Sequence, residues 1–155
     1  MTPAVFEQIE SFLHAHAVDY RVLRHEPVYT SDEAARVRGT ALASGAKALI
    51  CKGDDDVVMF VLPADRKLAS AAVRRTKGWR KLRFATAEEV EQRTGLRPGS
   101  IPPFGSLFNL RTLCDRRLGE NQTINFNAGD HSISISMAYA DYVRVESPEL
   151  GEFAE

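Results

Sequence analysis

The chain has 155 residues, 44% of them hydrophobic and 26% charged, and a formal net charge of -1. That length predicts a single domain over residues 1–155, able to bury one substantial core without covalent staples. The balanced charge argues against non-specific duplex binding, which shows as an excess of Lys and Arg. No apolar run reaches the ~18 residues of a membrane span, and the opening MTPAVFEQIE lacks the basic and apolar regions of a secretory leader. Cys51 and Cys114 are too far apart in sequence for a disulfide framework or a zinc site, so a reducing, cytoplasmic setting is expected.

Val5, Ile9, Phe12, Leu13 and Ala17 recur at helical spacing, with Thr2-Pro3 as cap and first-turn proline. DYRVLR (19–24) alternates as a strand, which His25-Glu26-Pro27 ends. Thr30-x-x-Glu33 is a capping box and Gly39 a stop, which gives a short helix over 31–38. Strands are predicted at 46–52 and 56–62, joined by the hairpin turn Gly53-Asp54-Asp55. Asp65 is placed to cap a helix from 66 to about 75. KLRFA (81–85) reads as a strand, and Thr86-x-x-Glu89 opens a helix ending near Gly95. GLRPGSIPPFGS (95–106), with three prolines and three glycines, is irregular and long for a connection. Strands return at 107–114, 122–127 and 132–137, the last two joined by Ala128-Gly129-Asp130. AYADYVRV offers a helical turn and a final extended piece, and the tail SPELGEFAE is expected to be loose. Strands in hairpins beside several helices predict an α+β domain with a mixed or mostly antiparallel sheet.

Three stretches could carry chemistry. Lys47 sits at the mouth of the aliphatic strand 46–52, where it either snorkels into solvent or brings an ammonium to a pocket rim. Lys47, Leu49 and Cys51 would share one face of that strand. The loop PGSIPPFG either connects rigidly or forms a pocket wall, since glycine lets backbone amides approach a ligand and proline fixes the wall. In FNAGDHSISIS, Gly129 either turns the chain or presents an amide to an oxyanion, and His131 is a turn residue or a substrate contact. His25 and Glu26 precede Pro27, and the stretch HEPVYTSDEA (25–34) lines a cleft or merely turns. The basic run Arg74, Arg75, Lys77, Arg80, Lys81, Arg83 is a solvated helix face or an RNA-backbone contact. No metal-ligand spacing is present, and none of the GxSxG, P-loop or GxGxxG motifs occurs, so no metal and no cofactor are expected.

The ordered pieces HEPVYTSDEAA, GAKALICK, VLPADRKL, TGLRPGSIPPFG and FNAGDHSISISMAYADYV resemble the YbaK/prolyl-tRNA-synthetase-associated domain family over roughly residues 3–145. The resemblance implies one α+β domain with a mixed, barrel-like central sheet and flanking helices. It also implies a cytoplasmic hydrolase that removes Ala, Ser, Cys or a related small amino acid from tRNA charged in error, chiefly tRNA(Pro). The partners it implies are misacylated tRNA and prolyl-tRNA synthetase, with no metal and no membrane. The family's lysine falls on Lys47, its glycine- and proline-containing loop on Gly99 to Gly105, and its late turn on Ala128 to His131.

An aminoacyl ester is already activated, so such an enzyme chiefly positions water and stabilises an oxyanion. The resemblance gives Lys47 the anchoring of the terminal nucleotide or the orientation of the ester. It gives Gly129, with Gly99 or Ser100, the oxyanion, and His131 a place in the catalytic set. Leu49, Cys51 and Phe104 would set pocket size, with Gly105 closing the substrate loop, and Arg74, Arg75 and Lys77 would touch the tRNA. Two departures matter: Ala48 follows the lysine where some members carry a polar residue, and His131 matches alanine-type rather than cysteine-type deacylases. The alternatives are a non-catalytic tRNA- or synthetase-binding module of the same fold, and hydrolysis of another small acyl ester or amide.

Overall fold

The computed structural model describes residues 4–155; the Thr2-Pro3 cap lies outside the described residues. The helical spacing near the start becomes α1 (Val5–Ala15), which buries Ile9 and Leu13. β1 (Tyr20–Arg24) follows, then α2 (Ser31–Arg38), whose first turn is held by the Thr30 hydroxyl accepting from the Glu33 N–H. Only half of the predicted capping box forms there, because the Glu33 carboxylate bonds the Thr30 hydroxyl and the Tyr29 N–H instead. A short 3-10 turn, Leu42–Ser44, leads into the hairpin of β2 (Ala46–Gly53) and β3 (Asp56–Pro63). After it come α3 (Ser70–Lys77), β4 (Leu82–Phe84) and α4 (Ala87–Thr94), the last with a complete capping box between Thr86 and Glu89. The remaining elements are a 3-10 turn at Gly105–Phe108, β5 (Arg111–Asp115), a further 3-10 stretch at Arg116–Glu120, β6 (Thr123–Asn127), β7 (Ile133–Ala138), α5 (Tyr139–Glu146) and β8 (Glu149–Gly151).

The strands form two sheets, ordered β1-β7-β6 and β4-β2-β3-β5-β8. All pairings are antiparallel except β3 with β5 and β5 with β8. This is the expected mixed α+β domain, but its two sheets do not close into the barrel-like sheet that was expected. They meet at one parallel bridge, Gly45 with Asn125. Alternation along β2, β3 and β5 buries the five-stranded sheet on both faces. Ile50, Met59, Val61 and Cys114 face the main core with Phe104, Phe126 and Tyr142. Cys51, Val58, Phe60, Leu62 and Leu113 face a second core roofed by Val73 of α3 and by Phe153.

The differences from the sequence reading share a cause. Asp65 caps no helix; α3 begins at Ser70, with no side-chain cap. Residues 67–69 instead pair with the end of the chain, through Lys67 N–H to Glu155 O, Glu155 N–H to Lys67 O and Ala69 N–H to Phe153 O. The tail is therefore not loose. Its β8 lies parallel to β5, and Phe153 and Ala154 are buried. Asp115, 1% exposed, takes the backbone N–H groups of Arg117, Phe153 and Ala154 at 2.9, 2.8 and 2.8 Å. Residues 107–110 are not strand either. The Glu146 carboxylate on α5 binds Ser106 and Thr112, and Thr112 in turn accepts the Gly105 N–H, which folds 105–108 into a tight turn.

Removing a buried carboxylate that satisfies three amides leaves unpaired donors. Asp115→Ala is expected to lower unfolding free energy by about 3 kcal/mol and to expose the tail to carboxypeptidase. Urea melts and mass spectrometry of the digest check this; an unchanged midpoint and an intact C-terminus would contradict it.

Candidate active site

β4 pairs only with Cys51–Gly53, so the first half of β2 has no strand on that edge. α2 stands opposite this edge. Between them lies a cavity of about 180 Å³. β2 contributes Ala46, Lys47, Ala48 and Leu49; α2 and its cap contribute Thr30, Ser31, Ala34, Ala35 and Arg38; Gly99, Ile101 and Asn127 complete the wall. Most of these side chains are small, which leaves the space open. No Asp or Glu lines it, although a lysine and an arginine do.

Lys47 is part-buried, and burial pulls its pKa below the ordinary lysine value, an effect that the Asp65 charge partly offsets. Arg38 is held more firmly. Its Nε donates to Ser134 Oγ at 2.8 Å, and Nη2 donates to Asn127 Oδ1 at 2.8 Å. Burial alone lowers its pKa to about 10. Among the described residues no carboxylate pairs with it. Its partners continue outward on both sides. Asn127 Nδ2 donates to Gly99 O at 2.6 Å, and Ser134 Oγ lies 2.8 Å from His25 Nε2. Arg38 can only donate, so the Ser134 hydroxyl is free to donate to His25. The other ring nitrogen, Nδ1, donates to Glu26 O at 2.7 Å.

At the cavity mouth Tyr29 is 69% exposed and packs against His131, with ring centroids 4.8 Å apart and the planes tilted by 38°. Gly99 lies behind that imidazole. Its φ is +94°, and a Cβ there would sit 3.4 Å from His131 Nε2. Lys47, Leu49 and Gly99 thus converge on the cavity, and His131 borders it through Tyr29 and Gly99.

Several sequence-predicted residues do not reach the cavity. The Gly129 N–H donates to Ser100 O at 2.8 Å, so it is not the expected free oxyanion donor. A Cβ on Gly129 would meet Val5 Cγ1 at 2.9 Å, which places the turn against α1. Ser100 is 3% exposed, and both its amide and its hydroxyl bond Arg97 O. Phe104 is fully buried among Phe12, Phe126 and Tyr142, and Gly105 is packed on Thr112, so neither sizes a pocket. Cys51 points into the second core. Burial pushes both its thiol and that of Cys114 up to about 12.

The basic run lies elsewhere. Lys77 is bound to Glu149, and Arg83 to Glu89 at 2.7 Å. Arg74 lines a separate cleft with Lys52, Arg80, Lys81 and Arg83, and Asp54 and Asp55 share its wall. Arg75 is exposed on α3. The sequence reading missed Arg38 and Asn127, whereas Tyr29, Thr30, Ser31 and Ala34 fall in HEPVYTSDEA, the stretch offered as a cleft wall. Arg38 carried one signal: it follows Ala34, the buried residue of α2, by four residues and so shares its inward face.

Comparison with known proteins places this arrangement. The pattern of the aminoacyl-tRNA editing domain matches residues 25–145. The chain belongs to this family. It is 35% identical over 152 residues to the multifunctional Ser/Thr-tRNA deacylase ProXp-y of Escherichia coli K12, covering 95% of this chain and 91% of that one. It is 31% identical over 97 residues to the proline–tRNA ligase of Thermosipho melanesiensis, covering 62% of this chain and 17% of the ligase. Its fold matches the crystal structure of a candidate trans-editing enzyme for prolyl-tRNA synthetase with a TM-score of 0.84 at 21% identity, covering 100% of this chain and 99% of that one. The matched residues include β2 to β7 and the cavity between β2 and α2, and leave out β1 and β8.

Thiols with pKa values pushed this high are poor nucleophiles. Neither Cys51 nor Cys114 is expected to react with iodoacetamide at pH 8 in the folded protein, while both should react in urea. Rapid native labelling of Cys51 would contradict its place in the second core.

Proposed function

We propose that this editing domain is a hydrolase that cleaves the ester between a small amino acid and the terminal ribose of a mischarged tRNA. The observation that carries this reading is the small, acid-free cavity holding two cations at an open strand edge. Its volume is below the ~300–1,000 Å³ of pockets that enclose a drug-sized ligand. An aminoacyl group fits inside, and the nucleoside stays at the mouth. There the exposed ring of Tyr29, backed by His131, offers a flat apolar face to a base.

Size selection follows from the wall of alanines. A hydrophobic pocket distinguishes one methylene by only ~1–3 kcal/mol, so fidelity gains from a second, smaller site that a bulkier cognate residue cannot enter. Thr30, Ser31 and Asn127 add polar atoms to the wall, which suits a hydroxyl-bearing side chain. Serine and threonine, named for the Escherichia coli relative, are therefore the first amino acids to test. Lys47 orients the ester or the adjoining nucleotide. The tRNA body reaches the cleft of Lys52, Arg74, Arg80, Lys81 and Arg83, and a prolyl-tRNA synthetase is the partner that would supply the substrate.

The alternative of a binding module without turnover is separated by one assay. Wild-type protein is expected to release amino acid from Ser-, Thr- or Ala-tRNA(Pro), and Lys47→Met to abolish release. Binding without turnover across that panel and Cys-tRNA(Pro) would overturn the reading.

Two further outcomes follow from the lowered pKa of Lys47. A folded-state pKa below the unfolded value means that the native protein binds fewer protons, so Lys47 opposes folding while protonated, and that cost fades as pH rises towards the ordinary lysine range. Lys47→Met should therefore melt no lower than wild type at neutral pH, although inactive; a large drop in melting temperature would contradict this. Activity that needs the ammonium should fall with rising pH through the lowered Lys47 pKa, after subtraction of spontaneous hydrolysis. Lys47→Arg should move that limb to higher pH if it retains activity. A limb unmoved in an active Lys47→Arg protein would show that another group titrates.

A further inference from the structure

The deacylation step builds negative charge on the carbonyl oxygen. Water adds to the carbonyl carbon, and the C=O electron pair moves onto oxygen. The tetrahedral species then collapses, breaking the bond to the ribose oxygen, which leaves with the proton that water gives up. Free tRNA and the amino acid result. The step needs a donor aimed at the developing oxyanion. Of the backbone amides that the sequence suggested, Gly129 is spent on Ser100 O and Ser100 on Arg97 O, which leaves Gly99 alone of the three on the cavity wall.

We propose that Nη1 of Arg38 donates the hydrogen bond that stabilises this oxyanion. The inference rests on the deacylase reading above and names a catalytic residue for it. Three observations carry it. Arg38 lines the cavity, and Nη1 is the guanidinium nitrogen beside Gly45, lying 3.8 Å from where a Cβ on that glycine would be. The other two nitrogens are fixed by Ser134 and Asn127, each at 2.8 Å, so the donor is held in place before substrate arrives. Both partners are neutral, and no acid lines the cavity, so the positive charge remains available to an anionic oxygen. A preorganised cation in a part-buried site stabilises charge there more strongly than in water and needs no reorganisation during the reaction.

The placement also separates Arg38 from a phosphate anchor. In the proposed pose the ester enters the cavity of about 180 Å³ and the terminal nucleotide, with its phosphate, stays at the mouth. The two roles differ kinetically. A phosphate anchor strengthens binding of ground state and transition state alike, and its loss raises the half-saturation point. An oxyanion donor acts in the transition state, and its loss lowers the maximal rate.

The test is single-turnover deacylation of Ser-tRNA(Pro) and Thr-tRNA(Pro) by wild type, Arg38→Gln and Arg38→Lys, with thermal melts of each. The expected result for Arg38→Gln is a maximal rate lower by ~10²–10³-fold, with the half-saturating enzyme concentration unchanged. Arg38→Lys should recover part of that rate, because it keeps a cation beside Ser134 and Asn127. If Arg38→Gln melts below the assay temperature, Arg38→Lys carries the comparison, and a wild-type maximal rate would overturn the proposal. A raised half-saturation point at unchanged maximal rate would also overturn it, in favour of ground-state anchoring. So would variants that match wild type in both. Those results leave the deacylase reading standing, whereas an inert wild type removes that reading and this inference together.

Discussion

The cavity depends on one fixed cation. Arg38 reaches from the last turn of α2 to Ser134 on β7 and Asn127 on β6, and Asn127 passes the constraint to Gly99 O. A guanidinium suits this task because its planar fork presents several donors in a rigid geometry. One side chain thus sets the distance between a helix, the three-stranded sheet and the proline-rich loop. β2 comes to the same place independently, tied to β6 by the Gly45–Asn125 bridge. The open edge of β2 faces α2 because β4 pairs only at its far end.

This arrangement leaves charge uncompensated. Two cations lose hydration at the cavity; no carboxylate stands in its wall, and the Asp65 charge offsets only part of the loss at Lys47. Such an arrangement opposes folding and persists where a ligand oxygen completes it. The rest of the fold absorbs the cost. The five-stranded sheet is buried on both faces, and the C-terminal segment closes the second core through Asp115. Stability and chemistry therefore occupy different parts of the molecule, joined through β2, whose later residues are core and whose first residues line the site.

Local signals in the sequence were read well where local forces decide. The short helices stopped by Gly39 and Gly95 and the β2–β3 hairpin fall where caps, glycines and the Gly53-Asp54-Asp55 turn place them. Errors cluster where distant segments meet. Asp65 looked like a cap, but the strand-like pairing of residues 67–69 with the tail prevents a helix there. Cys51 shares a strand face with Lys47, yet that face turns from cavity to core within four residues. Gly129 has the conformational freedom expected of an amide donor, but its amide is used by Ser100 across the fold. Arg38 looked like an ordinary basic residue in a last helical turn. Only the approach of β6 and β7 makes it part of a site.

The central claim is that the space between β2 and α2 receives the aminoacyl end of the substrate. Amide-resonance mapping with 3′-serylamino-3′-deoxyadenosine, a stable amide analogue of the seryl ester, tests it most directly. The account predicts that shifts concentrate at Lys47, Ala48, Arg38, Gly99 and Tyr29. Shifts confined to the cleft of Lys52, Arg74 and Lys81, with the β2–α2 cavity silent, would contradict it.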